Sequence, residues 1–183
     1  MSEFVVRRMA PGDLEQVARL DAMSFPKPWP QAAFTRELEN PRARCWVVET
    51  RLVAGLEFVP PPSSPLLPIT VPAAEPAVIG ALVAWLVLDE FHIATLAVHP
   101  ELRRQGLGQL ILRQALRDAL AEGARMAFLE VRESNIAAQQ LYRRFGFEVT
   151  GHRPRYYGTE DAVLMTLEPL GVRAAEPSTQ TEE

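Results

Sequence analysis

Two stretches of this sequence concentrate residues able to do chemistry. The first is HPELRRQGLGQLILRQAL, His99 to Leu116. It sets Arg103, Arg104, Gln105, Gly106 and Gly108 between an apolar run and an amphipathic one. Leu107, Leu110, Ile111 and Ala115 recur at helical spacing, Leu112, Leu116 and Leu120 fill the adjoining face, and Arg113, Arg117 and Asp118 point away. The glycines therefore mark a helix start, where N–H groups and the positive end of the helix dipole are uncovered. Glycine admits an anion close to the backbone and arginine adds charge, so this elbow suits a phosphate. A plain helix start with solvated arginines satisfies the same pattern. No Gly-Lys-Ser/Thr follows and the spacing is not G-x-G-x-x-G, which excludes a nucleotide P-loop and a dinucleotide fingerprint.

The second stretch is LEVRESNIAAQQLYRRFGF, Leu129 to Phe147. Glu130 interrupts an otherwise apolar strand. A buried carboxylate without a partner costs several kcal/mol, about 2–7 for a neutral polar group and more for a charge, so Glu130 belongs at an edge, a strand end or a cleft. Burial raises a carboxyl pKa toward the range of a general base. A strand residue turned to solvent, or paired with Arg132, is the plain alternative. Ser134 or Asn135 can cap the following helix, and Tyr142, with Leu141 and Phe145, can pack that helix on a sheet.

These residues need a framework. The chain has 183 residues, 48% hydrophobic and 23% charged, which suits one domain with a real core. A net charge of −4 argues against a general nucleic-acid binder and leaves room for a cationic substrate. Cys45 is the only cysteine, so no internal disulfide can form, and it reads as a core thiol. His92, His99 and His152 are scattered, so no metal is expected. AVIGALVAWLVL, Ala77 to Leu88, is too short to span a bilayer. The N-terminus lacks a signal-peptide apolar region, which makes the cytoplasm the expected compartment and a membrane partner unexpected.

Phe4–Arg8 and Cys45–Thr50 read as strands, flanking an Asp13-headed helix and a second helix that Asn40-Pro41 ends. Seven of 16 prolines lie between Pro60 and Pro76. Residues 57–76 are therefore expected as an inserted loop, extended or disordered. Ala77–Leu88 and Phe91–Val98 are strands joined by an acidic turn, and the elbow follows the second of them. Gly123 sits where a C-terminal cap belongs. Met126–Arg132 is a strand, SNIAAQQLYRRF a helix, and GFEVTG and DAVLMTLE the last strands. The tail from Pro169 is expected to be disordered. The class is α/β with a mixed sheet.

RRQGLG after LAVHPE, followed by LEVRESNIAAQQLYRRFGF, resembles the acetyl-CoA-binding core of the GNAT acyltransferases. The resemblance runs from about Glu3 to Glu168, so residues 1–168 are expected as one such domain. Within the family the chain is most similar to the branch that acetylates the N-terminal alanine of a ribosomal protein. SFPKPWPQAAF and RPRYY…EDAVLM are its specific echoes. The resemblance implies the GNAT fold, a mostly antiparallel twisted sheet flanked by helices, and acetyl-CoA as cosubstrate. It implies that main-chain groups of Leu96, Ala97 and Val98 flank the thioester and pantetheine. Arg103, Arg104, Gln105, Gly106, Leu107 and Gly108 would hold the pyrophosphate, and Asn135 would bond the pantetheine arm. Glu130 would be the general base, Tyr142 the general acid at sulfur, and Tyr156 and Tyr157 would position the peptide N-terminus. The enlarged proline-rich connection and the short RPRYYGTED segment depart from the pattern and bear on the acceptor.

The chemistry is consistent with an α-amine. Its pKa of ~7.7–8.0 leaves roughly a tenth neutral at pH 7, whereas a lysine at ~10.4 is neutral some hundredfold less often. A lysine side chain, a polyamine or another small amine remains an alternative acceptor, and a coenzyme A sensor without turnover an alternative class. No acyl-enzyme nucleophile stands in either motif, which points to direct transfer.

Overall fold

The computed structural model describes residues 4–51, 55–72 and 75–171. Strand β1 spans Val5–Arg8, β2 Ala43–Thr50, β3 Glu57–Phe58, β4 Ile69–Thr70, β5 Ala77–Val87, β6 Glu90–Val98, β7 Met126–Arg132, β8 Glu148–Arg153 and β9 Ala162–Leu167. Helix α1 spans Leu14–Ser24, α2 Gln31–Glu39, α3 Leu107–Ala121 and α4 Ile136–Arg144. A seven-stranded sheet has the order β1-β2-β5-β6-β7-β9-β8, and β3 and β4 form a separate two-stranded sheet. In the main sheet β6 and β7 are parallel, whereas β1 with β2, β7 with β9 and β8 with β9 are antiparallel. This is the mixed sheet of an α/β protein.

The chain divides into two compact units, one from the residues up to Val83 with Thr95–Ile111, the other from Ala84–Ala94 with the described residues from Leu112 onward. In the first, α1 buries Leu14, Val17, Ala18 and Leu20. Asp13 heads α1 by fastening what precedes it. Its carboxylate accepts from Ala10 N at 2.7 Å and from two Arg7 nitrogens at 2.7 and 2.8 Å. Cys45 is buried and burial pushes its thiol up to about 11, as fits a core thiol.

The proline-rich insertion is the main departure from expectation. It is not an extended or disordered loop throughout, because β3 and β4 pair Glu57 with Thr70 and Phe58 with Ile69. Proline removes donors from a ladder, but both paired dipeptides are proline-free. Leu56, Phe58 and Val71 are buried, so apolar side chains anchor the segment where prolines leave room. Arg19 Nε donates to Leu67 O at 2.7 Å, and His99 Nε2 donates to Glu57 O at 2.9 Å. Residues 52–54 and 73–74 lie outside the described set.

In the second unit β7 alternates buried and half-buried residues, with Ala127, Leu129 and Val131 inward. The end of α3 closes as expected. Gly123 has φ +97°, its N–H donates to Leu120 O, and Ala124 N donates to Ala119 O. Arg113 departs from expectation, since its Nε is buried. The expected tail also begins too early, because Leu170 is buried and its N–H donates to Arg125 O. Residues 172–183 lie outside the described set.

Candidate active site

The elbow belongs to the first unit. A 3-10 turn at Pro100–Leu102 follows β6, and then the chain reverses into α3. Arg104 has φ +64° and Gly106 φ +79°. Left-handed backbone alternating with ordinary backbone turns successive N–H groups toward one side, which makes an anion-binding concavity. A Cβ on Gly106 would meet nothing within 4 Å. The glycine therefore serves the backbone angle, and its main chain is open to approach. Arg103, Arg104, Gln105 and Gly106 are exposed, while Leu107 is buried and pins the first turn of α3. The residues present fit a diphosphate.

Arg103 has a second occupation. Its Nε donates to Val98 O at 3.1 Å and its Nη2 to Ser24 Oγ at 3.4 Å, bracing the elbow on β6 and on the end of α1. Ala97 is buried, Leu96 and Val98 are half-buried, and the β6–β7 ladder runs only from Glu90↔Met126 to Ile93↔Leu129. Two groups that sequence reasoning missed support this end of β6. Asp21 is buried and accepts from Trp29 N at 2.7 Å and from Thr95 Oγ1 at 3.3 Å; burial pushes its carboxyl up to about 6. His99 is fully buried, with Phe58 edge-on at 5.0 Å and an unpartnered Nδ1. Asp21 meets Trp29 eight residues on, but the bonds to Thr95 and Glu57 arise only from the chain's return over tens of residues.

The second unit carries the carboxylate and the tyrosines. Glu130 sits toward the end of β7 opposite Leu164 of β9, its side chain 26% exposed. Its partner is Arg153 of β8 at 2.6 Å, not Arg132, the partner that the plain alternative offered. Arg132 instead holds Glu160 at 2.9 Å and lies over the Tyr157 ring at 4.1 Å. Residues i and i+2 of a strand share a face, but a partner from another strand wins the pairing. Glu160 also accepts from Ser134, through its hydroxyl and its N–H, and these bonds, with that from Arg132, hold its carboxyl down at about 2. The Ser134 bonds tie the β8–β9 loop to the start of α4.

Tyr156 and Tyr157 project from the same loop with ring centroids 5.0 Å apart. The Tyr156 hydroxyl bonds to the Glu130 carboxylate, which with desolvation raises its pKa, and the Tyr157 hydroxyl donates to Glu130 O at 3.4 Å. Burial chiefly, then the Glu130 charge, raises Tyr157 as well. The structure thus brings Glu130, Tyr156 and Tyr157 together. Tyr142 of α4 is buried against Phe147, and burial drives its phenol well above the usual range. The phenol is therefore a persistent O–H donor, the opposite of the lowered pKa that full proton donation to sulfur would want. Asn135 is the cap of α4, its Oδ1 accepting from Ala138 N at 3.1 Å. Among the described residues, no group of three or more His, Cys, Asp or Glu could hold a metal ion, and no helix is long and apolar enough to cross a membrane.

Comparison with known proteins agrees with this architecture. Residues 14–147 match the acetyltransferase (GNAT) family. A Bacillus subtilis protein named as a candidate ribosomal protein bS18-alanine N-acetyltransferase is 34% identical over 167 residues, covering 90% of this chain and 95% of that one. The Escherichia coli ribosomal protein bS18-alanine N-acetyltransferase is 41% identical over 86 residues, 45% of this chain and 58% of its own. Its crystal structure superposes with a TM-score of 0.70 at 24% identity, covering 91% of this chain and 94% of that one. Arabidopsis thaliana NAA60, solved in complex with acetyl-CoA, superposes at 0.74 with 19% identity, covering 92% and 99%. The chain belongs to the GNAT family and is an acetyl-CoA-dependent N-acetyltransferase.

Proposed function

We propose that this enzyme acetylates the N-terminal α-amine of a protein, a ribosomal protein beginning with alanine, by direct transfer. The observation that carries the reading is the Glu130 carboxylate, three-quarters shielded and faced by two tyrosines at the end of a strand. An α-ammonium arriving there meets an acceptor for its proton within a wall of aromatic surface. The named activity of the Bacillus subtilis and Escherichia coli relatives supports the same acceptor.

Bound acetyl-CoA supplies the acetyl group already activated as a thioester. The elbow from Arg103 to Gly108 holds its pyrophosphate through open main-chain N–H groups and the exposed Arg104. Leu96, Ala97 and Val98 offer main-chain groups to the pantetheine and the reacting carbonyl, and the Asn135 amide, whose oxygen is spent on the cap, keeps its N–H donors for the pantetheine arm. Glu130 takes the proton of the α-ammonium, directly or through one water, which frees the nitrogen lone pair. The freed nitrogen attacks the thioester carbonyl, the carbon–sulfur bond breaks as the amide forms, and the second N–H proton passes to the departing thiolate, whose sulfur accepts a hydrogen bond from Tyr142 as its charge develops. A phenol above pKa ~10 would give its proton to a thiolate of ~8.5 only uphill, so stabilisation in place is the role its burial favours. Tyr156 and Tyr157 flank the arriving N-terminus.

The test is to offer acetyl-CoA with short peptides beginning with alanine, with the α-amine free or blocked, each containing one internal lysine. Thiol release is followed and the modified nitrogen located by mass spectrometry. Acetylation of the free α-amine alone is expected. Modification confined to the lysine ε-amine would overturn the reading.

A further inference from the structure

Arg153 has no part in the chemistry above, yet it is the group in contact with Glu130. We infer that Arg153 is a displaceable cation that occupies the Glu130 carboxylate until the acceptor's α-ammonium exchanges for it. The inference deepens the proposed function and rests on Glu130 being the base.

Three observations carry it. First, the pair is close, with Nη1 at 2.6 Å from Oε1, but unequal in burial: the Arg153 side chain is 54% exposed and that of Glu130 26%. Second, Arg153 lies at the end of β8, the last strand in the sheet order. Among the described residues, its side chain otherwise meets only Tyr156, by a hydrogen bond and by a loose approach to the ring, 5.5 Å from the centroid. An outward swing therefore leaves no buried hole. Third, the neighbouring arginine is not interchangeable with it. Arg132 is held by Glu160 at 2.9 Å and by the Tyr157 ring, and Glu160 is further tied to Ser134 N. One arginine is locked and the other is mobile by construction.

The chemistry requires the exchange. A carboxylate in contact with a guanidinium and a phenol O–H is a poorer base. The α-ammonium is itself a cation with N–H donors, so it can replace Arg153 contact for contact. Once it has, its proton passes from nitrogen to the Glu130 carboxylate without another cation opposing the transfer. The pair is open to water on its arginine side, which leaves it weak enough for a cationic substrate to displace. Among the described residues, the charged and titratable groups around Glu130 are Arg153 from β8 and Tyr156 and Tyr157 from the β8–β9 loop, with Arg132 and Glu160 beyond Tyr157.

The experiment compares wild type, Arg153→Gln, Arg153→Lys and Glu130→Gln on an alanine-initiated peptide, with the α-acetylated peptide as a binding control. For Arg153→Gln, KM for the free-amine peptide should fall about 1.5- to fivefold, the fold-change a solvent-accessible pair corresponds to. Binding of the blocked peptide should not change. Arg153→Lys should restore the wild-type KM. An unchanged or raised KM in Arg153→Gln, with Glu130→Gln inactive, would overturn the exchange and leave the base in place. A fully active Glu130→Gln would instead overturn the reading beneath it.

Discussion

The elbow after β6 and the cluster around Glu130 solve their problems by different means. The elbow works with main chain: two left-handed residues, Arg104 and Gly106, and a helix start, all within six consecutive residues. The cluster works with side chains drawn from β7, β8, the β8–β9 loop and α4, and its central ion pair joins residues 130 and 153. A binding surface for a fixed, highly charged group can be built locally, because N–H groups point where the backbone angles send them. A base must be tuned by neighbours, and neighbours of suitable charge come from distant parts of the chain. Substitutions in the elbow should therefore act through conformation, and those in the cluster through charge.

The largest effect is expected at the cluster. Glu130→Gln keeps the shape and removes the proton acceptor, so kcat should fall by about 10²- to 10⁴-fold, the range for a positioned acid or base. Acetyl-CoA affinity, measured by calorimetry, should stay within twofold of wild type. Loss of coenzyme binding in this variant would erase the division of labour. Next comes Gly106→Val. Forcing a β-branched residue to φ +79° costs about 1–3 kcal/mol, so acetyl-CoA should bind roughly five- to 150-fold more weakly. Because a Cβ there meets open space, Gly106→Ala should show only the smaller part of this loss. Equal affinity in all three proteins would remove the elbow from the coenzyme site.

What the sequence disclosed follows the same division. The elbow was legible because glycine spacing, helical periodicity and Gly123 are local signals, and each became the conformation expected of it. Strand β7 was legible to the residue as a short apolar run that only Glu130 interrupts. The partner of Glu130 was not. Arg132 is two residues away and Arg153 twenty-three, and only the pairing of β7 with β9 and β9 with β8 decides between them. The proline-rich segment misled for a related reason. Prolines rightly forbid a long ladder, but Leu56, Phe58 and Val71 find cover on distant residues that composition does not specify. Asp21 and His99 looked like ordinary helix and loop residues until burial gave them partners.

Tyr142→Phe sharpens the comparison within the cluster. It removes one hydroxyl from a buried ring and leaves the packing with Phe147. If the phenol stabilises sulfur by a hydrogen bond, kcat should drop about five- to 150-fold, the value of one bond of about 1–3 kcal/mol. Burial holds the phenol above its ordinary pKa, so the wild-type kcat–pH profile should show no basic limb up to about pH 10. A basic limb near pH 8 that vanishes in the variant would instead make Tyr142 a true proton donor.

Asp21 breaks the simple contrast, because it is side-chain chemistry inside the elbow's own unit, and it should affect stability with little effect on turnover. Its folded pKa of about 6 lies above the ordinary carboxyl value of 3.8, so between those values the folded protein binds the proton more tightly. Stability from this group is therefore fullest below about pH 4, falls as pH rises through about 6, and is level beyond. Two pKa units correspond to about 3 kcal/mol if the whole shift is expressed. Asp13 has the opposite sign. Burial raises it, but bonds from Arg7 and Ala10 outweigh burial and hold it below its ordinary value, so its contribution is lost on acidification. Wild type minus Asp21→Asn isolates the first term. An asparagine can still accept from Trp29 N through its oxygen and donate to Thr95 Oγ1 through its amide, so the fold should persist and the variant should gain on wild type as pH rises from 4.5 to 7. Urea denaturation across that range measures the difference. A constant difference would mean that Asp21 is charged at every pH tested, and that Trp29 N and Thr95 Oγ1 stabilise the buried carboxylate more than burial opposes it.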